Sequence, residues 1–207
     1  VEEAIARELS LDREHVAVIV REAAPKAAPA ASQHTFTGGI GKVLAASCAE
    51  TLIDTYHVGG IVFTGIAGGV GDDVNVMDMA IATELVQHDY GTETNSGFEW
   101  NGKAGSNQET GMIPVDGTLS KIAYNAACDV LGSAKVHQGV IATGDQFISS
   151  ESYVKELQTK FNALACEMEG ASVARVADEF HVQIFPEDFP VNIANPENLH
   201  RLRQAFP

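Results

Sequence analysis

The sequence predicts an α/β domain of three layers: a central twisted, mostly parallel mixed sheet with helices on both faces. Two observations carry this. Short apolar runs of strand length alternate with segments whose apolar residues recur at helical spacing. Glycine-rich turns sit at the ends of several apolar runs, as at Thr64–Gly69 and Thr143–Gly144. The chain has 207 residues, 45% hydrophobic and 20% charged, which fits a single domain over 1–207 with an organised core at 38–182.

Taken in order, residues 2–10 read as a short helix and His15–Val20 as a strand. Glu22–Ser32 is rich in Ala and Pro and reads as a loop or linker. Gly41–Tyr56 has helical spacing, Gly59 and Gly60 end it, and Ile61–Thr64 is a short buried strand. A second strand is expected over Val76–Ala82, continuing toward Leu85 and Val86. Residues 91–117 are polar and rich in Gly, Asn and Thr, the composition of a long binding loop or lid. Helix is expected at Leu119–Leu131, strand at Gly139–Thr143, helix at Glu151–Lys160, strand at Ala163–Cys166 and helix at Glu169–Glu179. After Val182 the rhythm breaks. Gln183–Pro186 is too short for a core strand and is stopped by proline, and only Glu197–Ala205 looks helical.

The formal net charge of −15 argues against nucleic acid or an anionic membrane surface as the main partner. No apolar run approaches the ~20 residues that span a bilayer. Cys48, Cys128 and Cys166 are odd in number and widely spaced, which points to a reducing, cytoplasmic setting rather than a disulfide framework.

Four segments carry candidate chemistry. Gly38-Gly39-Ile40-Gly41-Lys42 is a glycine-rich turn opening a helix, either an anion cradle or a simple chain reversal. Thr64–Gly69 follows a buried strand, where ligands of open α/β sheets bind; its small residues let a ligand reach the backbone, or let elements pack closely. In Ala142–Ile148, Phe147 can stack on a purine and the Ile148 backbone can meet its edge, or both can be core. In Cys166–Ala171, Glu167 and Glu169 stand one residue apart at a strand-to-helix junction. In a strand they would point to one side. Buried carboxylates need partners, and a carboxylate is an acceptor for two ribose hydroxyls; alternatively one of them caps the helix. Glu169 is the expected sugar ligand and Glu167 its support. His88 and Asp89 read as a structural hydrogen-bonding pair, Cys166 as a small buried hydrophobe, and Trp100 as a candidate subunit contact.

Five stretches, GGIGKV at 38–43, TGIAGG at 64–69, TELVQHD at 83–89, ATGDQFI at 142–148 and CEMEGASVA at 166–174, together resemble the nucleoside phosphorylase/nucleosidase superfamily. The resemblance is greatest to bacterial methylthioadenosine/S-adenosylhomocysteine nucleosidases and spans Gly38–Val182. It implies a nucleoside phosphorylase-like fold, a homodimer, no metal or organic cofactor, and hydrolysis of the N-glycosidic bond to release adenine. Ile40, Ile66, Ala67 and Gly68 would then line the sugar and water side. Phe147 and Ile148 would hold adenine, Met168 would pack on the ribose and Glu169 would accept its hydroxyls. The partner subunit would complete the thio-substituent pocket, with the loop after Asp89 as a contributor.

The resemblance puts the family's general base at Glu3, or Glu2, near the start of the chain, while one register puts Ala4 in its place. The family's general acid lies in an Arg-x-x-Ser-Asp context after the last matched helix. That motif is absent here, and neither Glu187 nor Asp188 takes over its role. A phosphorylase would bring arginines to a phosphate, yet no arginine lies between Glu22 and Ala174. Water is the expected nucleophile; a phosphorylase, another purine nucleosidase, or a nucleoside-binding homologue impaired in catalysis are the alternatives.

Overall fold

The computed structural model describes residues 16–20, 35–106 and 108–191; the side chains of 16–20, 35–37 and 183–191 lie outside that description. Glu2, Glu3, the segments 2–10 and 22–32 and the helix expected at Glu197–Ala205 also lie outside the described residues.

The described chain runs β1 (Val16–Val20), β2 (Thr35–Thr37), α1 (Lys42–Tyr56), β3 (Gly60–Gly69), β4 (Met79–Gln87), β5 (Gly91–Thr94), β6 (Gly97–Trp100), α2 (Gly102–Ser106), β7 (Ile113–Pro114), α3 (Gly117–Leu131), β8 (Val136–Thr143), α4 (Glu151–Phe161), β9 (Ala163–Glu167), α5 (Gly170–Glu179) and β10 (Gln183–Val191). Eight strands form one mixed sheet in the order β10-β4-β8-β9-β3-β1-β2, with β7 on β4. Strand β10 also pairs with β3, so β10, β4, β8, β9 and β3 close on themselves. The pairs β1–β2, β1–β3, β3–β10, β4–β8 and β8–β9 are parallel; β4–β10, β3–β9 and β4–β7 are antiparallel.

Strand alternation distributes the apolar side chains between two faces. Ile61 and Phe63 of β3 and Ala80 and Ala82 of β4 join the core under α1 and α5, with Ala45, Ala49, Leu52 and Ile53 of α1 at helical spacing. Val62, Met79 and Ile81 turn the other way onto Ala123, Ala126 and Ala127 of α3. A bulge between Ala82 and Glu84 resets the alternation, so that Val86 joins Val140, Ala142 and Leu157 of α4. Both faces are covered, as the parallel pairing requires.

Several boundaries differ from the sequence reading. Strand β3 does not stop at Thr64 but runs through the glycine motif to Gly69, because β10 pairs along it to Gly68 and β9 meets Gly68 and Gly69. Strand β4 begins at Met79, three residues later than expected; Val76 and Met77 are exposed, and Met77 takes a left-handed φ of 72°. The polar stretch 91–117 is not one loop. It forms the β5–β6 hairpin, turned through Asn95–Ser96 with Gly97 at φ 114°, then α2 and β7. Strand β10 is the largest correction, since no strand was expected after Val182. Pro186 and Pro190 are four residues apart, so both missing N–H groups fall on one edge of the strand, and the other edge keeps its donors.

The starts of α3 and α4 follow ordinary capping. Asp116 Oδ1 accepts from the Thr118 and Leu119 N–H groups at 3.0 and 2.8 Å, and Ser150 Oγ accepts from Tyr153 N–H at 3.4 Å. Helix α1 has Gly41 at its N-cap, with no side chain to offer, and distant carboxylates serve it instead.

Candidate active site

The chain order places the ends of β3, β8 and β9 and the heads of α1 and α5 together. Thr143, the last residue of β8, pairs with Glu167, the last residue of β9. Gly68 lies opposite Cys166 across the antiparallel β3–β9 contact. Gly144 N–H donates to the Glu167 carbonyl at 3.1 Å. The turn before α1 is drawn in by two bonds: Gly41 N–H donates to Glu169 Oε1 at 2.7 Å, and Lys42 N–H donates to Asp145 Oδ1 at 2.8 Å. All four sequence motifs therefore meet at one end of the sheet.

Glu169 is 1% exposed and is the N-cap residue of α5, outside β9. The two carboxylates are thus not a strand pair on one side, as the spacing alone suggested. Glu167, 3% exposed, turns back over the start of the helix: its Oε2 accepts from the Glu169 and Gly170 N–H groups, each at 2.6 Å. Its Oε1 accepts a hydrogen bond from Thr143 Oγ1, which in turn accepts from Ala171 N–H at 2.8 Å. Helix capping is therefore the work of Glu167, and Glu169 takes bonds from the opposite side, from Gly41 and from Met168 N–H at 3.3 Å. Burial, together with the Glu169 charge, pushes the Glu167 carboxyl up to about 7 against the pull of its three donors.

Of the remaining expected residues, Ala67 and Gly68 are buried in β3, and Ile66 is exposed beside them. Ile40 is exposed in the turn before α1, and Met168 is half-buried. Phe147 is 53% exposed, so it is not a core aromatic, whereas Ile148 is buried against Val140 and Leu157. Glu187 and Asp188 sit in β10 at the level of Thr64 and Gly65 of β3.

A second layer supports this one. His88 is 1% exposed; its Nδ1 lies 3.1 Å from Tyr153 Oη and its Nε2 3.7 Å from Cys166 Sγ. Burial holds its imidazole below the ordinary range, which favours the neutral form. Cys166 thus touches a polar partner rather than serving only as a small hydrophobe. Burial would raise the Asp89 carboxyl, but the Lys42 ammonium and the Asp145 N–H outweigh it and hold that carboxyl below its usual value. Within the chain, Trp100 Nε1 donates to the Gln87 carbonyl at 2.8 Å and the ring meets Phe161 edge-on at 4.9 Å. The sequence reading did not single out Thr143, Asp145 or the pairing of Lys42; a polar residue on each side of Gly144, where β8 ends, was the available signal. No group of three or more His, Cys, Asp or Glu side chains among the described residues is arranged to hold a metal ion.

A curled mixed sheet with helices on both faces and a buried carboxylate at the head of α5 defines an α/β domain of the nucleoside phosphorylase type. The chain belongs to the phosphorylase superfamily, whose family model matches residues 29–185. It is 36% identical over 146 residues to an aminodeoxyfutalosine nucleosidase from Campylobacter jejuni, covering 70% of this chain and 61% of that one. It is 39% identical over 145 residues to a 5'-methylthioadenosine/S-adenosylhomocysteine nucleosidase from Shewanella pealeana, again 70% and 61% of the two lengths. The chain thus spans about six-tenths of these curated relatives. Among solved structures, a 5'-methylthioadenosine/S-adenosylhomocysteine nucleosidase from Neisseria meningitidis in complex with methylthio-immucillin-A is similar at a TM-score of 0.75 and 26% identity, over 92% of this chain and 91% of that one.

Proposed function

We propose that this chain carries the core of a purine nucleosidase that hydrolyses the N-glycosidic bond of 5'-methylthioadenosine and S-adenosylhomocysteine, releasing adenine. The observation that carries the reading is Glu169, a buried carboxylate held by Gly41 N–H where the four motifs converge. In this reading it accepts the ribose hydroxyls, Met168 packs on the sugar, and Glu167 holds the turn. Ile40, Ile66, Ala67 and Gly68 line the sugar and water side, and Phe147 and Ile148 hold adenine. The C1′–N9 bond breaks through an oxocarbenium-like state, as in glycoside hydrolysis. Water adds to C1′ and gives its proton to a base in the position of Glu3 or Glu2, while the electron pair of the broken bond goes to adenine, which takes up one proton from a general acid or from solvent as it leaves.

Hydrolysis rather than phosphorolysis is favoured by the head of α1. A phosphate there would need the Gly41 and Lys42 N–H groups and the Lys42 ammonium, and all three already face carboxylates: Glu169, Asp145 and Asp89. The test is adenine release from methylthioadenosine in phosphate-free buffer. The same rate with and without phosphate is expected; an absolute requirement for phosphate would refute hydrolysis.

A second reading, nucleoside binding without turnover, rests on the missing Arg-x-x-Ser-Asp motif after α5. Calorimetry with methylthioadenosine separates the two: tight binding with no adenine formed supports the binder. Aminodeoxyfutalosine is a further substrate candidate, because the Campylobacter relative is named for it.

The reading includes a homodimer in the cytoplasm, acting in methionine salvage. Ile40 in the turn before α1 and Val43 and Leu44 in its first turn are exposed beside the site, Val43 at 77%, which suits a second copy of the chain. No disulfide joins the three cysteines, and no helix among the described residues is long and apolar enough to cross a membrane.

A further inference from the structure

Lys42 closes a ring of charge at the head of α1. Its ammonium lies 2.7 Å from Asp89 Oδ1 and 3.6 Å from Asp145 Oδ2. Its backbone N–H donates to Asp145 Oδ1 at 2.8 Å, and Asp145 N–H donates to Asp89 Oδ2 at 2.8 Å. The ring therefore joins the end of β4, the end of β8 and the first residue of α1 by four contacts. The Lys42 and Asp89 side chains are 18% and 17% exposed, so their attraction is less screened than that of a surface pair. One residue before Lys42, Gly41 N–H meets Glu169 Oε1 at 2.7 Å. Gly41 has φ 91° and ψ 160°, a conformation open essentially to glycine, so this segment has little intrinsic preference for the orientation it adopts. What fixes it is the peptide on its C-terminal side, which the ring holds.

We infer that Lys42 is a positioning residue for Glu169. By locking Asp89 and Asp145 around its own peptide it keeps the Gly41 N–H on Oε1, and so fixes the carboxylate that faces the sugar. The Lys42 ammonium is taken up by Asp89 and Asp145, so it acts through Gly41. The inference rests on the nucleosidase reading only for what Glu169 then binds.

Two measurements on the same variants test it. Lys42→Met removes the ammonium, Lys42→Arg keeps a cation, and Asp89→Asn breaks the ring from the other side. By calorimetry, Lys42→Met and Asp89→Asn are expected to weaken methylthioadenosine binding about tenfold while free adenine binds as before, because a hydrogen bond to an ionised group is the interaction lost. Lys42→Arg is expected to restore most of the affinity. Equal loss for nucleoside and base, or no loss for either, overturns the inference. The second measurement is amide hydrogen exchange, which needs no ligand. Gly41 is expected to exchange about tenfold faster in Lys42→Met and Asp89→Asn, with Leu85 and Ile141 in the core strands unchanged. Unchanged exchange at Gly41 overturns the positioning role whatever the ligand. Faster exchange at Gly41 in a protein that binds no methylthioadenosine keeps the positioning role and sinks the nucleosidase reading instead.

Discussion

Gly41 N–H lies 2.7 Å from Glu169 Oε1 across 128 residues of sequence, so a glycine with no side chain of its own orients the most buried acid of the site. The bond anchors Glu169 on its α1 side, and its other oxygen, Oε2, accepts from Met168 N–H at 3.3 Å.

Glu169→Gln keeps an acceptor for Gly41 but replaces one oxygen by a donor, which cannot take a second ribose hydroxyl. Adenine release from methylthioadenosine is expected to fall more than about a hundredfold, or ~2.7 kcal/mol of transition-state stabilisation. Melting temperature should change little. A variant that turns over like the parent removes Glu169 from the site.

Phe147 offers the opposite contrast. At 53% exposure, its removal in Phe147→Ala is expected to alter stability by less than about 0.5 kcal/mol. Adenine affinity should still fall, since stacking on a base contributes ~1–3 kcal/mol. Calorimetry with adenine beside a thermal melt reads both; a large loss of stability with unchanged affinity would return Phe147 to a packing role.

Glu167 gives stability a pH dependence of unusual sign. Its carboxyl is raised from 4.5 to about 7 by burial and the Glu169 charge, so the folded state holds a proton that the unfolded state releases. The stability this provides is full below pH 4.5 and is lost as pH rises through about 7. The melting temperature of the parent should fall relative to Glu167→Gln across that window. The difference between the two proteins is the measurement, because His88, held low by burial, works in the other direction on both. A constant difference would show that the helix-capping donors, not burial, set the Glu167 proton.

Gly144 has no room for a methyl group: a Cβ there would lie 2.3 Å from His88 Nε2, and His88 is 1% exposed. Gly144→Ala is expected to cost about 1–3 kcal/mol in chemical denaturation. The variant Gly144→Ala/His88→Ala should recover part of it; no recovery would place the strain elsewhere.

Legibility in the sequence followed burial. The central helices and strands of 42–69 and 117–179 were readable because their apolar spacing answers to two covered faces. The β5–β6 hairpin was not: as a two-stranded ribbon exposed at Thr92, Glu93, Phe98 and Glu99, it carries no apolar alternation to read. Strand β10 was hidden by Pro186 and Pro190, whose cost depends on which edge is paired, a fact outside the local sequence. At the site, the small-residue and carboxylate motifs stand out in the sequence, while the bonds of Glu167 to the Glu169 and Gly170 N–H groups follow from the turn between β9 and α5. The Lys42–Asp89–Asp145 ring does not stand out, because its members belong to three elements that only the fold brings together.

The closure of β10 onto both β3 and β4 has a kinetic meaning. Gly60 of β3 finds its partner at Gln183 only after more than half the chain has been laid down between them. Until then β3 and β4 each present an unpaired edge, the feature that invites association with other chains. Long-range parallel pairing of this kind also slows folding, since the loop must close before the contacts reward it. The step that seals the barrel-like circuit is therefore a late one, and crowding or heat during synthesis would act on this protein chiefly before its last described strand has docked.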